Sequence, residues 1–549
     1  MNLATCSTRE PPPYNANEYG AIDPREEYMA SSAGKSKQSL LRTFTHSAIA
    51  AALCAAGVGS TVATAQGKHD PANYAWQAGA IAHAQKMRSF FDRDNGGQPT
   101  PPVVSGFELD FDRSGIIATV QPGGPTLTSQ NAFFADLGTN NRTCFSCHQP
   151  QDGWSVSASA VRGRFYASYG TDPIFRLVDG ATCPSADVSS VDAKRKAYGL
   201  LLRKGLIRVG LTVPSSAEYQ IISVNDPYGC NTDPVTGLTH FGASGPTTGI
   251  VSVYRRPLPS TNLGFINTIM WDGREPSLLQ QSIDATLTHA QGSAAPTLAQ
   301  QQQIVDFESG IFTAQVFDDH ARDLTAAGAK GGPTALVDLL ANFFLGINDP
   351  LGGNPNGTPF TSKIFDLYEA WSGISGRGEG NASRRAIARG EALFNNTSIT
   401  ITGVAGINDL PGLTTVSGFC GTCHDSPNMG NHSVKLPINI GIANGGANND
   451  NAGLDIGDLP VFTLACVSGP NVGKTYTVTD PGRALISGKC ADIGKMKGPT
   501  LRGLAGRAPY FHNGSAATLL DAVNFYNLRF NLGLTADQMS DLAAFLQTL

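Results

Sequence analysis

Two short stretches of this chain combine residue types that do chemistry only at a fixed spacing. In Cys144-Phe145-Ser146-Cys147-His148 and again in Cys420-Gly421-Thr422-Cys423-His424, two thiols three positions apart are followed at once by an imidazole. At that spacing both thiols can bond covalently to one haem while the histidine ligates its iron. A single Cys-x-x-Cys-His could also belong to a redox pair or to half of a zinc site. Two copies in a chain that reads as exported favour two c-type haems, with His148 and His424 as proximal ligands. What can reach each iron from the far side then decides function, because an open position admits peroxide or oxygen and a filled one favours electron transfer.

The rest of the composition is consistent with an exported globular protein. The 549 residues are 41% hydrophobic and 15% charged, enough for a large core and two or three domains. A net charge of -5 with no long basic run gives no footprint for nucleic acid, and none is expected to bind. Lys35, Lys37 and Arg42 precede a short apolar run over 47–62, and Ala63-Thr64-Ala65 before Gln66 has the form of a signal-peptide cleavage site. The run is too short and too rich in glycine to span a membrane. Residues 1–28 are proline-rich and of mixed charge, so translation is expected to start at Met29. Cys54 follows Leu53 rather than a small residue and is not expected to carry lipid. Ten cysteines less Cys6 and Cys54 in the leader and the four in the motifs leave Cys183 with Cys230 and Cys466 with Cys490. In an oxidising compartment these are expected to form two disulfides, with free buried thiols as the alternative.

The elements that must position the motifs are mainly α-helical. Helical periodicity marks 74–92, a segment over 131–137 leading into the first motif, 299–324, 334–344, and an amphipathic helix at 389–394 ahead of the second motif. Trp154 is expected to pack on haem or in the core. Strands are expected over 206–213 and 219–224, inside an insertion at about 161–265. Asp110-Phe111-Asp112-Arg113-Ser114-Gly115 resembles the start of a calcium loop, but Gln121 stands where that loop needs a carboxylate, so a polar turn is expected instead. Residues 349–358 and 441–453 read as loops. Thr535 with Gln538 forms a capping box for a final helix whose stripe is Met539, Leu542, Phe545, Leu546 and Leu549. The expected organisation is a leader over 1–65, a first haem lobe over 66–380 that contains the insertion, and a second haem lobe over 381–549.

Three further elements carry a resemblance. Trp271-Asp272-Gly273-Arg274, Lys497-Gly498-Pro499-Thr500-Leu501-Arg502-Gly503 and Ala508-Pro509-Tyr510-Phe511-His512-Asn513-Gly514 look like the bacterial di-haem cytochrome c peroxidase superfamily. That superfamily includes the MauG-like enzyme that builds tryptophan tryptophylquinone in methylamine dehydrogenase. The resemblance runs from about residue 131 to the C-terminus and leaves out the insertion. It implies that Trp271 lies between the haems and relays electrons or holes, and that Gln281 matches a distal glutamine. The family's distal glutamate falls on Gln291, and an amide cannot move a proton. His289, two residues away, is the candidate substitute, with a surface or structural role as the alternative. No histidine follows the first motif where the peroxidases often cap the first haem, so that site reads as open. In the peroxidases a methionine, fourteen residues after the histidine that corresponds to His512, completes the second haem. Here that position is Tyr526, as in the quinone-forming enzyme. A phenolate stabilises oxidised iron where a thioether raises the potential. Met429, His432 and Met496 remain competing ligands. Arg502 and His512 are assigned to haem propionates or the lobe interface, with plain salt bridges as the alternative.

These readings lead to a periplasmic di-haem oxidoreductase that uses hydrogen peroxide to oxidise a protein or organic substrate. An oxygenase that cleaves an apolar substrate with O2, as the rubber-cleaving members of the superfamily do, is the first alternative. A non-catalytic di-haem electron carrier is the second. The reductant is not specified by any motif.

Overall fold

The computed structural model describes residues 100–231, 250–446 and 451–549, all within one compact unit. The leader, the 74–92 segment, and Cys6 and Cys54 lie outside the described residues. The longest helices among the described residues are α1 (Ala158–Ser168), α2 (Leu278–Thr288), α3 (Leu298–Gly310), α4 (Glu379–Asn396), α5 (Leu519–Arg529) and α6 (Ala536–Gln547). None among the described residues is long and apolar enough to cross a membrane.

The expected mainly helical fold carries more sheet than its sequence suggested. A four-stranded antiparallel sheet joins Phe107–Phe111, Gly115–Val120, Phe312–Asp318 and Arg322–Asp323 in that order. Its third strand overturns the expectation of one helix through 299–324. The helix stops at Gly310, and Phe312-Thr-Ala-Gln-Val-Phe-Asp, rich in aromatic and β-branched residues, crosses into the sheet. The segment 131–137 is likewise no α-helix but a single 3₁₀ turn, Ala132–Phe134, with the Asn131 side chain accepting from Phe133 N–H. Phe133 and Phe134 are both buried. Gly138 follows where a Cβ would stand 1.8 Å from the Ala290 carbonyl oxygen, so the chain passes too close to its neighbour for another residue.

The 161–265 segment contains the expected strands, Ile207–Thr212 and Tyr219–Asn225. The first pairs with Ile250–Arg255. The second pairs with Val461–Cys466, which continues to Thr475–Val478, so the insertion is hydrogen-bonded to chain that follows the second motif. Disulfides join Cys183 to Cys230 and Cys466 to Cys490, as expected. At the Asp110–Gly115 segment the chain makes a hairpin turn in which an Asp112 carboxylate oxygen accepts from Ser114 N–H at 2.7 Å. Gln121 donates to the Val104 and Ser105 carbonyls.

Behind the second motif, α4 packs against α6. A Cβ at Gly390 would lie 2.1 Å from the Asp541 carbonyl, so glycine permits the close crossing. Phe365, Phe394 and Phe545 fill the space with ring centroids 5.1–6.0 Å apart. The Thr535–Gln538 capping box opens α6, and Leu542, Phe545 and Leu549 are buried as the stripe required.

Candidate functional site

Each Cys-x-x-Cys-His motif forms one 3₁₀ turn, Cys144–Ser146 and Cys420–Thr422, which brings both thiols and the histidine to one side of the chain. In each case that side faces a cavity. The first contains about 1330 Å³ of atom-free space, open solvent included, and is lined by Cys144, Cys147 and His148. The second contains about 1650 Å³ and is lined by Cys420, Cys423 and His424. All four cysteines are outside the disulfides, and burial pushes Cys420 and Cys423 up to about 12.

The two imidazoles are oriented as ligands. His148 Nδ1 lies 2.9 Å from the Trp154 carbonyl and 3.1 Å from Ser260 Oγ, and His424 Nδ1 lies 2.7 Å from the Gly430 carbonyl. A proton on Nδ1 leaves the Nε2 lone pair for a metal. Burial lowers His148 to about 4, so the ring is neutral at physiological pH. Trp154 is fully buried and gives its indole N–H to Thr119 Oγ1, so its expected packing role is filled with the carbonyl of the same residue holding the histidine.

Haem fits these walls on a further count. Lys497 lines both cavities, and Arg256 and Arg507 line the second. Their hydrogen bonds go to backbone carbonyls: Lys497 Nζ to Thr268 O at 2.9 Å, Arg256 to Lys204 O at 2.8 Å, and Arg507 to Thr500 O at 3.0 Å. Burial lowers Lys497 to about 8 and both arginines to about 10. Two buried arginines and a half-buried lysine, none with a carboxylate hydrogen-bond partner, suit the propionate groups that haem carries.

In the first cavity α2 presents Leu278, Gln281, Ser282 and Ala285, and His289 caps its C-terminus, so one helical face supplies both residues that the resemblance singled out. His289 Nδ1 is 2.6 Å from Asp179 Oδ2, and Asp179 Oδ1 is 2.5 Å from Arg142 Nη1. Burial alone would raise the Asp179 carboxyl, but Arg142 and His289 outweigh it and hold it below the usual carboxylate range. Asn140 Nδ2 also donates to the His289 carbonyl at 2.8 Å. Gln291 is not in the lining; its amide oxygen accepts from Asn140.

In the second cavity Tyr526, Met496, His512 and Trp271 all contribute to the lining. Burial raises the Tyr526 phenol, and Cys423 and Cys420 are close enough to add to the effect. Met429 and His432 line neither cavity. Met429 is buried against Phe265 and Phe312 and accepts from Thr500 Oγ1, while His432 Nδ1 is 3.2 Å from Asp425 Oδ2. Arg502 also stands outside both linings, with Nε donating to Asn428 O at 2.7 Å and its guanidinium over Phe365. Burial lowers His512 to about 4, with Asp480 Oδ2 3.9 Å from its Nε2.

Trp271 lines the second cavity, next in sequence to a residue of the first. Met270, in a left-handed backbone conformation, lines the first while Trp271 lines the second, and Pro257, Leu258 and Pro259 line both. The indole N–H donates to the Arg256 carbonyl at 2.8 Å, and its ring is 6.1 Å from His512. Asp272 is fully buried with Arg255 Nη1 at 2.5 Å, and Arg255 also holds Asp480 at 2.7 Å. Sequence reasoning did not single out Asp179, Arg142 or Met270, and it named Lys497 only as the first residue of a motif, with no role. Arg142, two residues before the first motif, was the one with a positional signal.

Parts of this chain are similar to bacterial cytochrome c peroxidases. The chain is 38% identical over 99 residues to a cytochrome c551 peroxidase of Nitrosomonas europaea, covering 16% of this chain and 30% of that protein. It is 33% identical over 147 residues to the cytochrome-c peroxidase IdrP2 of Denitromonas iodatirespirans, covering 25% and 37%. To IdrP1 of the same organism it is 41% identical over 88 residues, covering 14% and 23%. The chain therefore matches about a quarter to a third of the length of these curated relatives. A solved MauG-like protein associated with microbial copper homeostasis aligns over 76% of this chain and 86% of its own at 16% identity, with a TM-score of 0.33. No family model matches.

Proposed function

We propose that the protein is an exported, two-haem c-type oxidoreductase that uses hydrogen peroxide to oxidise a protein or organic substrate. The observation that carries this reading is the pair of motif-lined cavities that share Pro257, Leu258, Pro259, Lys497 and Thr500 in their walls. A c-type haem supplies an iron that can take oxidising equivalents from peroxide and pass them on. The residues of the chain do the rest. Gln281 offers an amide to orient peroxide, His289 moves its proton, and Trp271 gives a short aromatic path between the two centres. Tyr526 is the preferred sixth ligand in the second cavity, with Met496 the remaining competitor. Propionate contacts belong to Lys497, Arg256, Arg507 and His512, while Arg502 supports the loop after the second motif. The two disulfides favour an oxidising compartment, in keeping with the periplasm.

The test is peroxide consumption by the purified holoprotein with reductants of different size, beside the haem count from the pyridine haemochrome spectrum. Two haems per chain and peroxide turnover that falls at least tenfold in Trp271→Phe are expected. Oxygen uptake with an apolar substrate and no peroxide turnover would replace this reading by the oxygenase one. Two haems that respond to neither oxidant would leave an electron carrier.

A further inference from the structure

The group that holds His289 comes from a segment in which the sequence offered no chemical motif. Asp179 lies in the loop after α1, inside the insertion, yet both of its carboxylate oxygens are committed at the first cavity: one to Arg142 at 2.5 Å and the other to His289 Nδ1 at 2.6 Å. Asp179 and Arg142 are buried, whereas the His289 side chain keeps 34% exposure. The backbone is fixed as well, since Asn140 and Arg142 both donate to the His289 carbonyl, at 2.8 and 3.3 Å. A carboxylate on Nδ1 selects the tautomer with hydrogen on Nδ1 and the lone pair on Nε2.

We infer that Asp179 is a positioning residue that makes His289 a proton acceptor in the first cavity, so that the insertion supplies the carboxylate that orients this base. This rests on the reading of the first cavity as the peroxide site. In the step assigned to it, one O–H bond of hydrogen peroxide breaks, the proton forms a bond to His289 Nε2, and hydroperoxide anion remains. The imidazolium so formed is held by Asp179, and the Arg142 charge keeps Asp179 ionised. No electron moves in this step. The charged and titratable groups around the cavity are Arg142 ahead of the motif, Asp179 after α1, His148 in the motif, Glu308 on α3 and Lys497 in the shared wall. Of these only Asp179 has a carboxylate on the His289 ring.

Asp179→Asn separates this role from bulk structure. An amide that still accepts from Arg142 must offer its N–H to Nδ1, which moves the ring proton to Nε2 and removes the base. The probe is cyanide association with the ferric holoprotein, since hydrogen cyanide enters neutral and has to give up its proton just as peroxide does. Asp179→Asn and His289→Gln are each expected to slow cyanide association about 100-fold or more, in the range for loss of a general base. Asp179→Glu should recover part of the rate, with haem content and thermal midpoint measured alongside. Unchanged cyanide rates in both Asp179→Asn and His289→Gln would overturn the inference. So would a low-spin first haem that becomes high-spin in His289→Gln, because His289 would then be an iron ligand. Cyanide kinetics that depend on His289 in a protein without peroxide turnover would sink the peroxidase reading and leave the positioning role standing.

Discussion

Tyr526 and Met496 set the chemistry of the second cavity between them, because they are the two candidate ligands that line it. They make opposite demands on iron, the phenolate favouring its oxidised states and the thioether its reduced one. Tyr526→Phe keeps the ring that stacks on Phe530 and removes only the oxygen. It is expected to shift the EPR and optical spectra of the second haem, while Met496→Leu leaves them unchanged; the reverse result would assign the thioether. The resemblance singled out Tyr526, Trp271 and Gln281 by their distance from motif residues, and all three line the cavities. Asp179 was not singled out. Asp179 meets His289 across 110 positions. Contacts of that range are made by the fold, and no local spacing announces them.

Helix α5 carries Tyr526, so its start positions a ligand. Thr518 and Asp521 form a capping box, with Thr518 Oγ1 accepting from Asp521 N–H at 3.1 Å and Asp521 Oδ2 accepting from Thr518 N–H at 2.9 Å. Thr518→Ala is expected to cost about 1 kcal/mol in urea denaturation; an unchanged midpoint would mean that tertiary packing alone holds the helix. The Trp271 element depends on Arg255, at the end of the strand Ile250–Arg255. Removing that guanidinium in Arg255→Leu leaves Asp272 and Asp480 buried without it, at an expected cost of about 3–5 kcal/mol. The pH dependence carries a sign. Burial would raise Asp272, but Arg255 and Arg274 hold it below the usual carboxylate range. Its ionised form therefore stabilises the fold above the unfolded carboxylate value near 3.9, and that contribution is lost as pH falls through the lower folded value. In Arg255→Leu the acid limb of a stability profile is expected to begin at higher pH than in the parent. The capping box and stripe of α6 were legible, and so was the amphipathic part of α4 over 389–394. The strand Phe312–Asp318 was missed because its run follows α3 after a single intervening residue, and only pairing with Gly115–Val120 gives it a reason to be extended.

At the scale of the whole molecule, the insertion is tied to the chain after the second motif by the pairing of Tyr219–Asn225 with Val461–Cys466, and Cys466–Cys490 closes the same region. Reduction of both disulfides is expected to lower stability by about 3–4 kcal/mol for each loop and to lower the thermal midpoint, with haem retained. An unaltered midpoint in reductant would show that strand pairing suffices. The cysteine arithmetic made both pairs legible, whereas the sheet that joins distant segments was not. The proposed peroxide chemistry requires one centre that is open and one that is closed. The most direct measurement is the EPR and optical spectrum of the ferric holoprotein before and after one equivalent of hydrogen peroxide. One high-spin and one low-spin haem are expected, with no methionine–iron charge-transfer band, and peroxide should convert both signals to a persistent oxidised species. Two low-spin haems that peroxide leaves unchanged would contradict the proposed function.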